Sequence, residues 1–140
     1  ARRRAIQWAV VDYVQLVAPS QMRRGESREE QTSATIAEIK AAAGAANVGI
    51  IVCSQLRRLG PGEQEPRPNA SDLRNSGMLE AQADAVLLIW HPNRMDDSAT
   101  TLLLAAYKHG SPGELPLTWL PAKRFYRREE GRAHGNWHRE

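Results

Sequence analysis

Three apolar runs of strand length punctuate the chain, and each stops at polar residues. AIQWAVV ends at Asp12, VGIIVC ends at Ser54-Gln55, and VLLIW (86–90) ends at His91. Unbroken apolar runs fit strands buried on both faces, as in a parallel sheet. The pattern predicts strands over 6–17, 48–54 and 86–90. Between the first two, Ile36, Ile39 and Ala43 recur at three- and four-residue spacing, which predicts a helix over 29–46 with Gly44 weakening its end. Strand, helix and strand form a right-handed βαβ unit with parallel strands.

Downstream, RRLGPGEQEPRPNA (57–70) holds three prolines and two glycines among charges, the make-up of a loop. Ser71 or Asp72 is placed to cap a short helix over 72–83. TTLLLAAY (100–107) and LPLTWL (115–120) read as later strands joined through Gly110-Ser111-Pro112-Gly113. From Ala122 the chain turns polar and Arg-rich, so 127–140 is expected to be a disordered tail. The domain assignment is one unit over 1–126 plus that tail.

The 140 residues suit one ordinary core that buries about two thirds of the unfolded surface. Hydrophobic residues at 41% and charged ones at 25% give the usual globular mixture. No run approaches the roughly 20 apolar residues of a membrane span. The basic and then apolar N-terminus, ARRRAIQWAVV, lacks a small-residue cleavage site and runs into Asp12, so it reads as a strand and not a secretory leader. Cys53 is the only cysteine and lies inside an apolar run, which rules out an internal disulfide and makes it a packing residue. A cytoplasmic location is the expectation. The net charge of +3 permits phosphate contacts without requiring them.

An apolar strand delivering a lone Asp to the carboxyl edge of a sheet suits Mg²⁺ binding, because open α/β sheets place their ligands there. Yet G-x-x-x-x-G-K-[ST], the backbone cradle for nucleotide phosphates, occurs nowhere in the chain. His134 and His138 lie four apart without further ligands, too few for a metal site. Trp119, Phe125 and Tyr126 lie near Lys123 and Arg124, where base stacking competes with ordinary strand packing.

Taken together, VVDYVQL, the Ala- and Ile-rich helix, the strand ending Ser54-Gln55-Leu56, the Arg- and Pro-rich loop and the block SDLRNSGMLEAQADAV resemble the C-terminal, RecA-like motor domain of the DnaB-type replicative DNA helicases. The resemblance covers Gln7 to Tyr126. Its specific part is Asp72-Leu73-Arg74, Ser76-Gly77, Glu80, Ala83-Asp84 and Val86 in that order. It implies an α/β fold: an incomplete RecA-like P-loop NTPase core, mainly parallel, flanked by helices and closed by a C-terminal β-hairpin.

The resemblance also implies roles. Asp12 resembles the Walker B carboxylate that holds Mg²⁺ on ATP, and Gln55 the glutamine that senses the γ-phosphate and links it to the DNA loop. Arg74, Asn75 and Gly77 fall where the family contacts the single-stranded DNA backbone, with Asn75 replacing an acidic residue. Arg57, Arg58 and Arg67 in the preceding loop add cationic charge for the same partner. Aligned on Gly110 and Gly113, Lys108 takes the arginine-finger position and Ala106 that of a lysine. Lys keeps the charge of a finger and loses its bidentate fork.

Two functional readings follow. In the first, the chain is part of a helicase subunit that couples ATP hydrolysis to movement on single-stranded DNA as a homo-hexamer, with a primase or a loader as further partner. The resemblance places the phosphate loop and catalytic glutamate upstream of Ala1, so the isolated chain is expected to lack ATPase activity. In the second, it is a non-catalytic RecA-like module that binds single-stranded DNA or a helicase partner. A recombinase or clock-type RecA relative shares Asp12 and Gln55 and leaves 72–86 unexplained.

Overall fold

The computed structural model describes residues 6–22, 24–57, 66–73, 77–92 and 99–128. The chain divides into two compact units, one of residues 1–58 and 71–82, the other of 59–70 and 83–140.

The first unit is built on the expected βαβ order. Strand β1 (Trp8–Val11) pairs in parallel with β2 (Gly49–Val52), in a register that sets Val11 beside Val52. Helix α1 (Arg28–Ala46) connects them. Its start is a capping box, in which the Ser27 hydroxyl accepts the Glu30 N–H at 3.2 Å and the Glu30 carboxylate accepts the Ser27 N–H at 2.7 Å. It ends at Ala46, as expected, with Gly44 inside its last turn. The stop is Asn47, left-handed at φ 52°, with its N–H donated to Gly44 and that of Val48 to Ala43, so the last carbonyls are satisfied by a Schellman-type turn.

β1 ends with its apolar run at Val11, short of the strand expected over 6–17, because the chain winds into a 3-10 turn at Val14–Leu16. That turn sinks Val14 completely into a small core with Ile36 of α1 and Leu79, against which Ile39, Val52 and Leu73 also pack. Leu79 belongs to α2 (Gly77–Gln82), preceded by a 3-10 turn at Ala70–Asp72. The expected helix over 72–83 is shorter among the described residues, and Asp72 pairs with Arg57. Lys40 of α1 donates its ammonium to the carbonyl of Gln82, which anchors the end of α2. Glu38 accepts the N–H and hydroxyl of Ser20, and Thr35, buried in α1, donates to the carbonyls of Gln31 and Val17. The β1–β2 ribbon thus has one face toward this core, while Trp8, Val10 and Ile51 are exposed.

The second unit corrects the expectation of a mainly parallel sheet. It is an antiparallel meander of β3 (Ala85–Trp90), β4 (Ala99–Tyr107), β5 (Gly113–Leu120) and β6 (Phe125–Arg128). VLLIW is not buried on both faces, because Val86 and Leu88 are interior while Leu87 and Ile89 are about half exposed. A continuous apolar run conceals such alternation. Leu103 and Leu104 complete the interior, and Thr100 is satisfied by the Nδ1 of His91 at 3.1 Å. β6 replaces part of the expected polar tail, and residues 129–140 lie outside the described residues.

Candidate functional site

Parallel pairing places the ends of β1 and β2 at one edge. The ladder continues past both strands, with the Cys53 N–H donated to Val11 at 2.9 Å and the Val14 N–H to Cys53 at 3.0 Å. Asp12 and Gln55, both exposed, therefore leave the same rim of the ribbon. The Asp12–Tyr13 peptide is cis. Cys53 is half-buried, in keeping with its reading as a packing residue.

Gln15, which the sequence patterns do not single out, ties the two strand ends together. Its side-chain amide donates to the Ser54 hydroxyl at 2.9 Å, and its carbonyl oxygen faces the Gln55 N–H at 3.5 Å. The only hint in the sequence is a polar residue inside an otherwise apolar VQL. Among the described residues no cluster of three or more His, Cys, Asp or Glu could hold a metal. Asp12 supplies an exposed carboxylate at this rim. His134 and His138 lie outside the described residues.

Just beyond Gln55, the chain leaving β2 meets the start of the 72–86 block. Leu56 and Leu73 form an antiparallel bridge, and the Arg57 N–H donates to the Asp72 carbonyl at 2.8 Å. The Arg57 Nε lies 2.9 Å from Asp72 Oδ1. Arg57 is thus bound within the chain. Arg58, Arg74 and Asn75 lie outside the described residues. Gly77 is exposed at the start of α2, and an added Cβ would meet nothing within 4 Å.

The remaining candidates belong to the second unit. Arg67 pairs with Glu114 and lies over the Trp90 ring at 5.6 Å. Lys108 follows β4, donating its N–H to the Asp84 carbonyl at 3.0 Å and its ammonium to Asp84 Oδ1 at 3.2 Å. Trp119 and Tyr126 are cross-strand partners with ring centroids 4.5 Å apart, so these two rings pack on each other. The two compact units therefore divide the candidate residues, with Asp12, Gln15, Gln55, Arg57 and Gly77 in one and Arg67 and Lys108 in the other.

A parallel pair with an acid and an amide at one rim, in a chain that also forms an antiparallel sheet, resembles a RecA-like ATPase domain. One solved ATPase domain matches 85% of this chain and 43% of its own length, with a TM-score of 0.73 at 27% identity. The chain belongs to the DnaB-like helicase C terminal domain family, whose pattern matches residues 1–127. A solved structure of a DnaB-like replicative helicase and its interactions with primase covers 81% of this chain and 29% of its own, with a TM-score of 0.71 and 29% identity.

Sequence relatives agree. The replicative DNA helicase DnaB of Mycobacterium leprae is 34% identical over 106 residues, 72% of this chain and 17% of that protein. The replicative DNA helicase DnaB of Geobacillus stearothermophilus is 30% identical over 116 residues, 79% of this chain and 25% of that protein. The chain thus spans a quarter or less of the length of these curated relatives. Among the described residues no helix is long and apolar enough to cross a membrane.

Proposed function

We propose that this chain is the part of a replicative DNA helicase subunit that carries the Walker B acid, the γ-phosphate-sensing glutamine and the DNA-facing segment. The single observation that carries this reading is the common rim of Asp12 and Gln55, set by the in-register pairing of β1 with β2. In the complete subunit, Asp12 would hold Mg²⁺ on ATP through its water shell. The ion, when bound, neutralises charge on the β- and γ-phosphates. Gln55 would report the phosphate state to the segment bridged at Leu73.

Arg58, Arg67, Arg74, Asn75 and Gly77 would face single-stranded DNA. Guanidinium groups pair with phosphates regardless of sequence, as translocation requires. Packing within the chain does not demand a glycine at 77, since a Cβ there meets open space, and close approach of a DNA backbone would. Lys108 would act on the nucleotide of a neighbouring protomer in a homo-hexamer in the cytoplasm, and a primase or loader is the further partner. A solved DnaB-like relative is described with its interactions with primase, which supports that choice.

The 140 residues contain no G-x-x-x-x-G-K-[ST], so this chain alone is expected to bind DNA without hydrolysing ATP. Ala106 and Lys108 at the family's cationic positions favour the second reading, a non-catalytic DNA-binding module. Fluorescence anisotropy with labelled oligo(dT) tests the DNA role. Binding should weaken linearly in log affinity against log salt, and Arg74→Ala should make that slope shallower by about 0.7. Salt-independent binding, or none, rejects it. ATP turnover by the 140-residue chain that Asp12→Ala abolishes would reject the expected inactivity.

A further inference from the structure

We infer that Arg57 and Asp72 form a clasp that fixes the stem of the DNA-facing segment to the end of β2, so that Arg57 positions this segment instead of contacting phosphate itself. This inference rests on the DNA-binding reading above.

Two contacts join the same two short stretches: the Leu56–Leu73 bridge, in which the Arg57 N–H donates to the Asp72 carbonyl at 2.8 Å, and the Arg57 Nε to Asp72 Oδ1 at 2.9 Å. The Asp72 side chain is only 14% exposed, whereas that of Arg57 is 53% exposed. A carboxylate this far withdrawn from water needs a cation, and a guanidinium in direct contact meets that need. Leu73, next in the chain, is anchored against the small core with Leu79. The clasp therefore holds the chain from both sides of one peptide, immediately before Arg74. On its other side, Gln55 is adjacent to Leu56, so a displacement at the strand end reaches Asp72 through one hydrogen-bonded pair.

A clasp and a phosphate contact differ in sign. If Arg57 bound phosphate and Asp72 merely stood nearby, Asp72→Asn would remove a repulsive charge and tighten DNA binding. A clasp predicts the reverse, a loss of about threefold in oligo(dT) affinity for Asp72→Asn and for Arg57→Gln, the scale of one half-exposed ion pair. The salt slope stays that of the unaltered chain for both variants, while a phosphate contact by Arg57 would cost the slope about 0.7. Amide hydrogen exchange on the DNA-free chain supplies the second measurement. Peptides covering 55–57 and 71–73 exchange faster in Asp72→Asn, with α1 unchanged. Tighter binding by Asp72→Asn, a shallower slope in Arg57→Gln, or unaltered exchange in both stretches overturns the clasp. If the unaltered chain fails to bind oligo(dT), the DNA-binding reading falls and the exchange experiment alone decides whether the clasp exists.

Discussion

The Gln15 amide donates to the Ser54 hydroxyl across 2.9 Å, joining the turn that follows Asp12 to the strand end that carries Gln55. One partly buried neutral hydrogen bond contributes about 1 kcal/mol. Gln15→Leu and Ser54→Ala should each destabilise the chain by about that amount in urea unfolding. The double variant should cost less than the sum, with a coupling above about 0.5 kcal/mol. Additive effects would mean that the two strand ends are held by the backbone bonds alone.

The capping box at Ser27 gives a pH signature. Hydrogen bonds from the Ser27 backbone and side chain hold the Glu30 carboxyl below the usual carboxylate range. A group whose value is lowered by folding stabilises the fold at pH values above its unfolded value, which is about pH 4 for glutamate. That contribution is lost as the pH falls through the lowered folded value. Glu30→Gln should therefore flatten the acid limb of the stability curve and matter least in strong acid, measured by thermal melts between neutral and acid pH. Ser27→Ala should cost about 1 kcal/mol at neutral pH.

Val14 is fully buried, although it lies in a three-residue turn and not in a strand or long helix. Val14→Ala removes two methyl-sized groups from contact with Ile36 and Leu79, and should cost about 2 kcal/mol. The urea midpoint should fall with little change in slope.

Lys108 and Asp84 present the opposite case. Their side chains are 45% and 68% exposed, so the ion pair is screened by water. Lys108→Ala should alter the unfolding free energy by less than about 0.5 kcal/mol. A larger loss would make Lys108 a structural residue and remove the reason to place it on a neighbour's nucleotide.

How far each element is legible in the sequence follows from how locally it is determined. α1 is readable because its apolar period and its Ser27-x-x-Glu30 cap are both local, and its stop at Ala46 falls where expected, although the left-handed Asn47 that closes it has no periodic signature. The β1–β2 pairing is readable because a helix between two apolar runs leaves parallel strands as the ordinary outcome. VLLIW misleads because five apolar residues in a row look alike whether one face or both are covered, and what packs over each face of the sheet decides that. At the site, Asp12 and Gln55 are readable as strand-end residues, whereas Gln15–Ser54 and Arg57–Asp72 join residues 39 and 15 positions apart. Such contacts follow from the turn at Val14–Leu16 and the bridge at Leu73, which no short-range periodicity reveals.

A ribbon of only two strands has marginal stability in water. The lifetime of the Asp12–Gln55 rim is therefore borrowed from the nineteen-residue helix against one of its faces. Whatever melts that helix removes the support beneath the rim, so the placing of these two side chains depends on a capping serine and a left-handed asparagine at the two ends of the helix.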